Sequence, residues 1–309
     1  MKFGKTDHPE QVNFSLPTDH KDNAPLLDIS RSNEGPIVHV GCAKWNRQEL
    51  QNFYPRGTKD ELTYYSRQFN TIELNASFYR IFPATIFAGW KDKTPSDFVF
   101  YPKMPQVISH RKRLNDVGPY VEEFVTNASY LDEKLGMIFL QMMQNFSPHN
   151  PINKQNLIQF IQTWPREIPL AIELRHTDWY NDHVTSAELY TLFEDHGITN
   201  VITDTAARRD LLHMRLTTPY TFIRYVGANH ETDYSRLDEW AERLSQWVDQ
   251  GIRRIAFFVH QNHEVESPLL ASYFIKKLND CIGCNLTIPE VSPVSSPKPE
   301  NSKTQATLF

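Results

Sequence analysis

The chain has 309 residues, 40% of them hydrophobic, which is enough material for one large core. Lys and Arg total 32 against 37 Asp and Glu, and the net charge of -5 excludes a general electrostatic attraction to nucleic acid or anionic membrane. Binding of phosphate would therefore need a local cluster of basic side chains.

Other global features predict a cytoplasmic protein with no membrane partner. No stretch of the sequence is apolar enough to span a bilayer, and residues 1–33 lack the basic-then-apolar order of a signal peptide. The three cysteines, Cys42, Cys281 and Cys284, do not have the pattern of a disulfide framework. Cys281 and Cys284 form an isolated C-x-x-C without a second ligand pair, which favours ordinary thiols over a zinc site.

Both ends of the chain are predicted to be disordered. Residues 1–35 are polar, with scattered prolines and no hydrophobic periodicity. Residues 286–309 are rich in Pro, Ser and Lys and are interpreted as a tail that cannot bury a core. The folded domain is therefore expected at 36–285.

Within this domain, short β-rich runs alternate with helical patterns, which predicts a parallel sheet built from β-α units. Eight such runs favour a fold of the α/β class, a single closed (β/α)₈ barrel of the TIM type, over an open sheet. The predicted strands are 37–41, 71–75, 98–103, 136–141, 169–175, 200–204, 221–226 and 255–260. The predicted helices lie near 58–69, 84–93, 118–133, 153–163, 185–196, 235–250 and 266–279.

The alternation of side chains along each strand predicts which residues face the barrel interior. The outer face packs under helices and takes the apolar side chains. In the second strand Ile72 and Leu74 therefore face outward, and Glu73 and Asn75 face inward. The same test turns further polar residues inward near the C-terminal ends of the strands, which we call the mouth: Lys103, Gln141, Glu173, Arg175, Arg224 and His260, with Asp204 at the end of the sixth strand.

These charges have two interpretations. Barrel interiors are usually filled with Val, Ile and Leu, and buried charges are costly unless they pair or face water. A salt-bridge network that fixes the fold would satisfy them. A functional site is favoured, because the charges cluster at the mouth, where β-α loops build the sites of known barrels.

Several motifs follow one another in the order of a known family. Residues 41–45 (GCAKW) resemble a Gly-x-Ser-Gly-Trp turn, and residues 69–79 (FNTIELNASFY) match a Phe-Asn-Thr-x-Glu-x-Asn-x-x-Phe-Tyr signature. The later motifs are Lys103-Met-Pro with His110, Glu173-Leu-Arg-His176 with Trp179, and Arg224 with Gly227. On these motifs the chain resembles the YecE-like family, domain of unknown function 72, over residues 36–280. The resemblance implies a TIM-barrel fold and supplies no reaction.

The family pattern also implies aromatic side chains near the mouth: Trp45, Phe78, Tyr79 and Trp179. Such rings either stack on a sugar or base of a substrate or pack under the loops. Two loops depart from the pattern. Residues 42–44 (CAK) replace small Ser and Gly residues, and residues 260–263 (HQNH) replace consecutive asparagines.

The predicted function is that of a hydrolase or lyase acting on an anionic, phosphate-bearing small molecule or nucleic acid. Lys103, Arg175 and Arg224 would bind phosphate or carboxylate, while Glu73 or Glu173 moves a proton. The catalytic candidates are Glu73, Glu173, His176 and Asp204. The substrate-binding candidates are Trp45, Asn75, Tyr79, Lys103, Arg175, Arg224 and His260.

Alternative functions use the same residues. Glu173, Asp204 and His260 could bind a metal, but the nearby cations and the lack of a short ligand spacing disfavour this, so no metal or cofactor is assigned. A non-catalytic module could hold a ligand or a DNA end at the same mouth. In a third interpretation the charges are purely structural.

The last five residues, 305–309 (QATLF), resemble the Gln-Leu-Ser/Asp-Leu-Phe peptide with which bacterial DNA-processing proteins bind the replication sliding clamp. Gln305, Leu308 and Phe309 match this peptide, and Ala306 departs from it. The match suggests a link to DNA processing, and the alternative is a chance ending of the tail.

We expect the chain to bind the clamp weakly and deletion of Leu308 and Phe309 to abolish binding, because these side chains would be the apolar anchors of the peptide. Surface plasmon resonance with immobilised clamp would compare the full chain with the truncated one. Unchanged binding after the deletion would show that the match is accidental.

Overall fold

A computed structural model describes residues 4–291, so Gln305, Leu308 and Phe309 lie outside the described residues. In these residues eight strands form, each with boundaries within two residues of the predicted range, and each hydrogen-bonded pair of strands is parallel. The strands are β1 (Ile37–Cys42), β2 (Thr71–Leu74), β3 (Val99–Pro102), β4 (Ile138–Gln141), β5 (Leu170–Glu173), β6 (Thr199–Thr205), β7 (Tyr220–Gly227) and β8 (Arg254–Gln261).

Helices connect most of the strands, and the start of two of them follows from a capping side chain. The Asp60 carboxylate accepts a hydrogen bond from the Thr63 N–H at 2.8 Å, and Asp182 does the same for Thr185 at 2.7 Å. No helix in residues 4–291 has the length and apolar composition needed to cross a bilayer. The helices are α1 (Asn23–Ile29), α2 (Glu61–Gln68), α3 (Ala84–Asp92), α4 (Gly118–Ala128), α5 (Pro151–Thr163), α6 (Asp178–Asn181), α7 (His183–His196), α8 (Thr232–Gln250) and α9 (Ser267–Ile282).

The prediction of a closed (β/α)₈ barrel is wrong. The hydrogen-bonded strands form a curled, all-parallel sheet of six in the order β1-β8-β7-β6-β5-β4, and a separate sheet of two, β2 and β3. Between the region of β3 and that of β4, the described residues make isolated bridges at Phe100–Leu135 and Lys103–Phe139 and no continuous ladder.

Two side chains explain why β1 and β2 lack a ladder. The Asn70 amide accepts a hydrogen bond from the backbone N–H of Val40 at 3.1 Å and donates one to the carbonyl of Val38 at 2.8 Å. The Tyr65 hydroxyl accepts from the N–H of Cys42 at 2.7 Å. The edge of β1 therefore satisfies its backbone groups with side chains and not with a neighbouring strand. Alternation along a strand predicts which side chains lie on each face of the sheet. It does not identify the groups that hydrogen-bond to the backbone at the edge of the strand.

An apolar cluster separates the inner faces of the two sheets. The ring of Phe222 lies between those of Tyr101, Phe139 and Phe258, with centroids 4.9–5.6 Å apart. The Phe139 ring also lies 5.6 Å from the Arg224 guanidinium and 5.6 Å from the Lys103 ammonium. Charged groups at the mouth therefore lie against an apolar floor, where electrostatic interactions are stronger than in water.

Residues 4–35 of the N-terminal segment differ from the prediction of disorder over 1–35. The Asn23 amide donates to the carbonyl of Met214 at 2.8 Å and accepts from the N–H of Leu216 at 2.9 Å. The Asp19 carboxylate accepts from the Trp247 indole at 2.8 Å. Leu27 is fully buried in the main core. The segment is held by tertiary contacts, which a local absence of periodicity does not reveal.

We therefore expect Leu27→Ala to lower the free energy of unfolding by about 2–5 kcal/mol, because it removes a buried side chain. Ile29→Ala is the matched control: Ile29 lies in the same helix but is 88% exposed, and its change should stay within about 0.5 kcal/mol. Urea unfolding followed by circular dichroism measures both. Equal, small effects would support the disordered segment that the sequence predicts.

Candidate functional site

A single arginine joins two buried glutamates at the mouth. Arg224 in β7 donates from Nε and Nη2 to the two carboxylate oxygens of Glu73 in β2, at 2.8 and 2.9 Å. Its Nη1 donates to Glu173 in β5 at 2.8 Å. All three side chains are buried. The alternation in β2, β5 and β7 predicts these inward orientations, and the planar guanidinium then matches two carboxylates at once.

Three more side chains extend this arrangement. Asn75 donates to Glu73 at 2.8 Å, and Arg175 Nε donates to Glu173 at 2.6 Å. His260 Nε2 lies 3.1 Å from the Glu73 carboxylate. We call Glu73, Glu173, Arg175, Arg224 and His260 the charged cluster.

Electrostatics keep both glutamates ionised. Burial by itself would raise the pKa of Glu73, but Arg224 and His260 outweigh it and hold this pKa well below its usual range. At Glu173 burial is likewise outweighed by Arg175 and Arg224, which lower the pKa to about 2. A general base works best when its pKa lies near the operating pH, so neither carboxylate suits the proton-transfer role that the sequence suggests.

The pKa of His260 is shifted in the opposite direction, upward. Burial would lower its pKa, but the Glu73 carboxylate outweighs this and raises it. The other ring nitrogen, Nδ1, lies 3.7 Å from the carboxylate of Glu264, which follows β8. Sequence reasoning missed Glu264, because the residue lies in a loop turn to which strand phasing does not apply.

Lys103 is the cation of the mouth that no carboxylate pairs with among residues 4–291. Its Nζ donates to Gln141 Oε1 at 2.7 Å and lies 4.6 Å from the ring centroid of Phe78. The side chain is 7% exposed. Burial and the positive charge of Arg224 lower the pKa of Lys103 to about 7 against the opposing pull of the glutamates. At neutral pH the amine is therefore divided between its charged and uncharged forms.

His110 also belongs to the mouth. Its Nδ1 lies 2.8 Å from the Ser109 hydroxyl, and its ring packs edge-on against Phe78 at 4.9 Å. Burial and the nearby charges of Lys103 and Arg175 lower the pKa of His110 to about 4. His110 is therefore neutral near pH 7. The sequence motif contains this residue, but its location after β3 gave no strand phase from which to assign a role.

A cavity of about 290 Å³ opens beside the charged cluster and is lined by Trp45, Glu73, Asn75 and Tyr79, among others. The Trp45 ring is fixed by edge-on packing against Trp90 at 5.6 Å, whereas Tyr79 is 71% exposed. Both rings are therefore available to a ligand in this cavity.

Of the four aromatic residues near the mouth, Trp179 instead packs under a loop. Its side chain is buried, and its indole donates to the carbonyl of Phe146 at 2.7 Å. For Trp179 the packing interpretation is therefore the one that holds.

Asp204 does not join the charged cluster, and its predicted inward orientation is wrong. In the ladder between β6 and β7 it lies opposite Tyr225, one residue out of phase with Arg224. Its carboxylate accepts from Arg236 at 2.9 Å and from the Trp240 indole at 2.7 Å, both in α8. Asp204 thus holds α8 against the outer face of the sheet by these hydrogen bonds.

His176 also lies apart from the charged cluster. Its Nδ1 accepts from the backbone N–H of Asp178 at 3.3 Å, in the turn after β5. The alternative metal set of Glu173, Asp204 and His260 is not assembled, because Asp204 faces the opposite side of the sheet. Within residues 4–291, no group of three His, Cys, Asp or Glu side chains is arranged to hold a metal ion.

Fold and site together define a parallel α/β protein with a buried charge network at the C-terminal ends of its strands. The chain belongs to the DUF72 family, described as "Protein of unknown function DUF72", which its residues 39–291 match. The family resemblance predicted from the motifs is thus confirmed.

Relatives in two bacteria cover different shares of the chain. The UPF0759 protein YecE of Escherichia coli K12 is 26% identical in an alignment of 277 residues that covers 84% of this chain and 96% of YecE. The UPF0759 protein YunF of Bacillus subtilis is 29% identical in an alignment of 155 residues that covers 47% of this chain and 53% of YunF.

Solved structures of the same family share the fold. A DUF72 protein of Thermotoga maritima has a TM-score of 0.61 at 26% identity and covers 79% of this chain and 99% of its own. A DUF72 protein of Enterococcus faecalis has a TM-score of 0.61 at 18% identity and covers 83% of this chain and 100% of its own.

The lowered pKa of Glu173 predicts acid sensitivity. Its folded pKa of about 2 is below the ordinary value of 4.5, so its contribution to stability is complete above 4.5 and is lost as pH falls toward 2. We expect Glu173→Gln to be less stable at pH 7, because Arg175 and Arg224 lose a charged partner, and to lose less stability on acidification. Urea unfolding at pH 7, 4.5 and 3 measures this.

The exposed Glu167→Gln provides the control for that comparison, since it removes one carboxylate that lies at the surface. It should follow the wild-type pH profile. Parallel profiles for wild type and Glu173→Gln would contradict the assignment of Glu173 as a charge that stabilises the fold.

Proposed function

We propose that the protein is an enzyme, a hydrolase or lyase, that binds a small phosphate-bearing anion at the mouth and uses Lys103 to exchange a proton with it. The observation that carries this proposal is the buried Lys103 amine, which lies beside the charged cluster without a carboxylate of its own in the described chain.

A second buried lysine shows why Lys103 is unusual. The Lys134 amine donates to the carbonyls of Lys91 and Thr94, at 2.7 and 2.8 Å, and to the Thr94 hydroxyl at 3.2 Å. All three ammonium hydrogens of Lys134 have acceptors, as a structural lysine requires. Among residues 4–291 the Lys103 amine has one such acceptor, Gln141, and otherwise contacts the rings of Phe78 and Phe139.

The cations of the mouth divide into two groups. Arg224 donates from Nε and both terminal nitrogens to Glu73 and Glu173, so its charge is already neutralised by these two carboxylates. We assign the incoming anion to Lys103, which no carboxylate pairs with among residues 4–291, and to Arg175, which shares Glu173 and has a 15% exposed side chain. This supports the anionic substrate and transfers the phosphate-binding role from Arg224 to these two residues.

The remaining parts of the mouth fit the same function. A pKa of about 7 suits Lys103 to give and take a proton at neutral pH, and neutral His110 offers a second acceptor. The cavity beside Trp45 and Tyr79 would hold the rest of the substrate. A link to DNA processing rests on the C-terminal motif, and a non-catalytic binding module remains the alternative.

Calorimetric titration with sulfate, whose charge does not change between pH 6 and 8, tests the anion site. If sulfate binds the charged form of Lys103, its affinity should fall about tenfold from pH 6 to pH 8, because the amine deprotonates across this interval. Lys103→Arg should bind at both pH values without this dependence, and Lys103→Met should bind more weakly.

Lys276→Met, which removes an exposed lysine of α9, serves as the control and should behave like wild type. An affinity independent of both pH and Lys103 would contradict the proposed site. Once a substrate is known, Lys103→Arg separates the two alternatives, since an enzyme loses turnover more than binding and a binding module has no turnover to lose.

A further inference from the structure

We infer that Lys103 is a nucleophile that forms an imine with the carbonyl carbon of an anionic carbonyl compound. The inference rests on the proposed anion site and narrows the proposed function to its lyase branch. The substrate class is then an aldehyde or ketone that carries phosphate or carboxylate.

The surroundings of the amine are those of a nucleophilic lysine. Its Nζ has one acceptor within the described residues, Gln141 at 2.7 Å, and no carboxylate within ion-pair distance. Aromatic rings flank it, with the centroid of Phe78 at 4.6 Å and that of Phe139 at 5.6 Å. Arg224, which also lies over Phe139, adds a second positive charge. Apolar walls and a neighbouring cation are the two features that make a lysine amine uncharged and reactive.

The protonation equilibrium agrees with this geometry. Burial and Arg224 lower the pKa of Lys103 to about 7, so a substantial share of the amine is uncharged at neutral pH. An ordinary lysine with a pKa of about 10.4 has about a thousandfold less uncharged amine at this pH. Lys103 should therefore react far ahead of the surface lysines.

The reaction needs no oxidant or reductant. The nitrogen lone pair attacks the carbonyl carbon, a C–N bond forms as the π bond of the carbonyl opens toward oxygen, and that oxygen takes one proton from the amine to give a carbinolamine. The C–O bond then breaks, and the oxygen leaves as water with the two hydrogens of the amine. His110, which is neutral and shares the contact with Phe78, is the residue that we expect to relay the proton. When its nitrogen takes a proton from solvent, the resulting imine becomes an iminium that draws electrons from the neighbouring carbon, as a lyase requires.

Reductive trapping tests the inference. The full chain is incubated at pH 7 with dihydroxyacetone phosphate and sodium cyanoborohydride, which converts an imine to a stable amine, and the labelled residue is located by peptide mass spectrometry. We expect label on Lys103, and at least about tenfold less with dihydroxyacetone, which lacks the phosphate that charge-assisted hydrogen bonds would hold. Lys134, the other buried lysine, should remain unlabelled in the same digest.

Two further results are expected. Labelling of Lys103 should level off above pH 8, whereas labelling of surface lysines should keep rising. Lys103→Arg should lose the label at this position, because a guanidinium group does not form the imine. The wild-type map compares Lys103 with Lys134 within one molecule, so the test does not depend on the folding of a variant.

Label spread over exposed lysines, with Lys103 no higher than Lys134, would overturn the inference. If sulfate then still binds in a manner that depends on Lys103, the proposed function stands without the imine. If sulfate binding is absent as well, both proposals are overturned.

Discussion

The Arg224 guanidinium is the interaction on which the rest of the structure depends. It lies in the six-stranded sheet and binds Glu73 from the two-stranded sheet, so it joins two sheets that share no continuous ladder. Breaking a buried pair of this kind costs about 3–5 kcal/mol, because the remaining charge has no partner and little water. Glu73 and Glu173 can be buried here only because one planar group satisfies both carboxylates.

The chemistry of the mouth follows from how these charges are distributed. Arg224 takes both carboxylates, and Arg175 and His260 each share one of them. Among residues 4–291, no carboxylate pairs with Lys103, whose amine is buried against aromatic rings and has a single amide acceptor. Burial and the positive charge of Arg224 lower the pKa of this lysine into the neutral range, against the opposing pull of Glu73 and Glu173.

The sequence predicts the parts of this structure that depend on local periodicity. The apolar alternation located all eight strands and turned Glu73, Glu173 and Arg224 inward, where the structure has them.

The alternation failed where a residue distant in the sequence determines the orientation or the pairing of a side chain. Asp204 faces outward because α8 supplies Arg236 and Trp240, more than thirty positions along the chain. Likewise, Asn70 and Tyr65 replace a ladder beside β1, and contacts of Asn23 order the N-terminal segment, by pairings that no pattern along the sequence encodes.

The structural and functional interpretations of the buried charges thus apply to different residues. Arg224 forms ion pairs with Glu73 and Glu173, and Asp204 forms an ion pair with Arg236 in α8. These pairs are what a network that stabilises the fold would require. Lys103 does not fit that account: a lysine buried for stability alone has its ammonium saturated, as Lys134 does with three acceptors. Burying an amine with one neutral acceptor lowers the stability of the fold, and ionisable groups with shifted pKa values cluster at functional sites. The contrast between Lys103 and Lys134 in residues 4–291 therefore supports the proposal that the mouth performs chemistry.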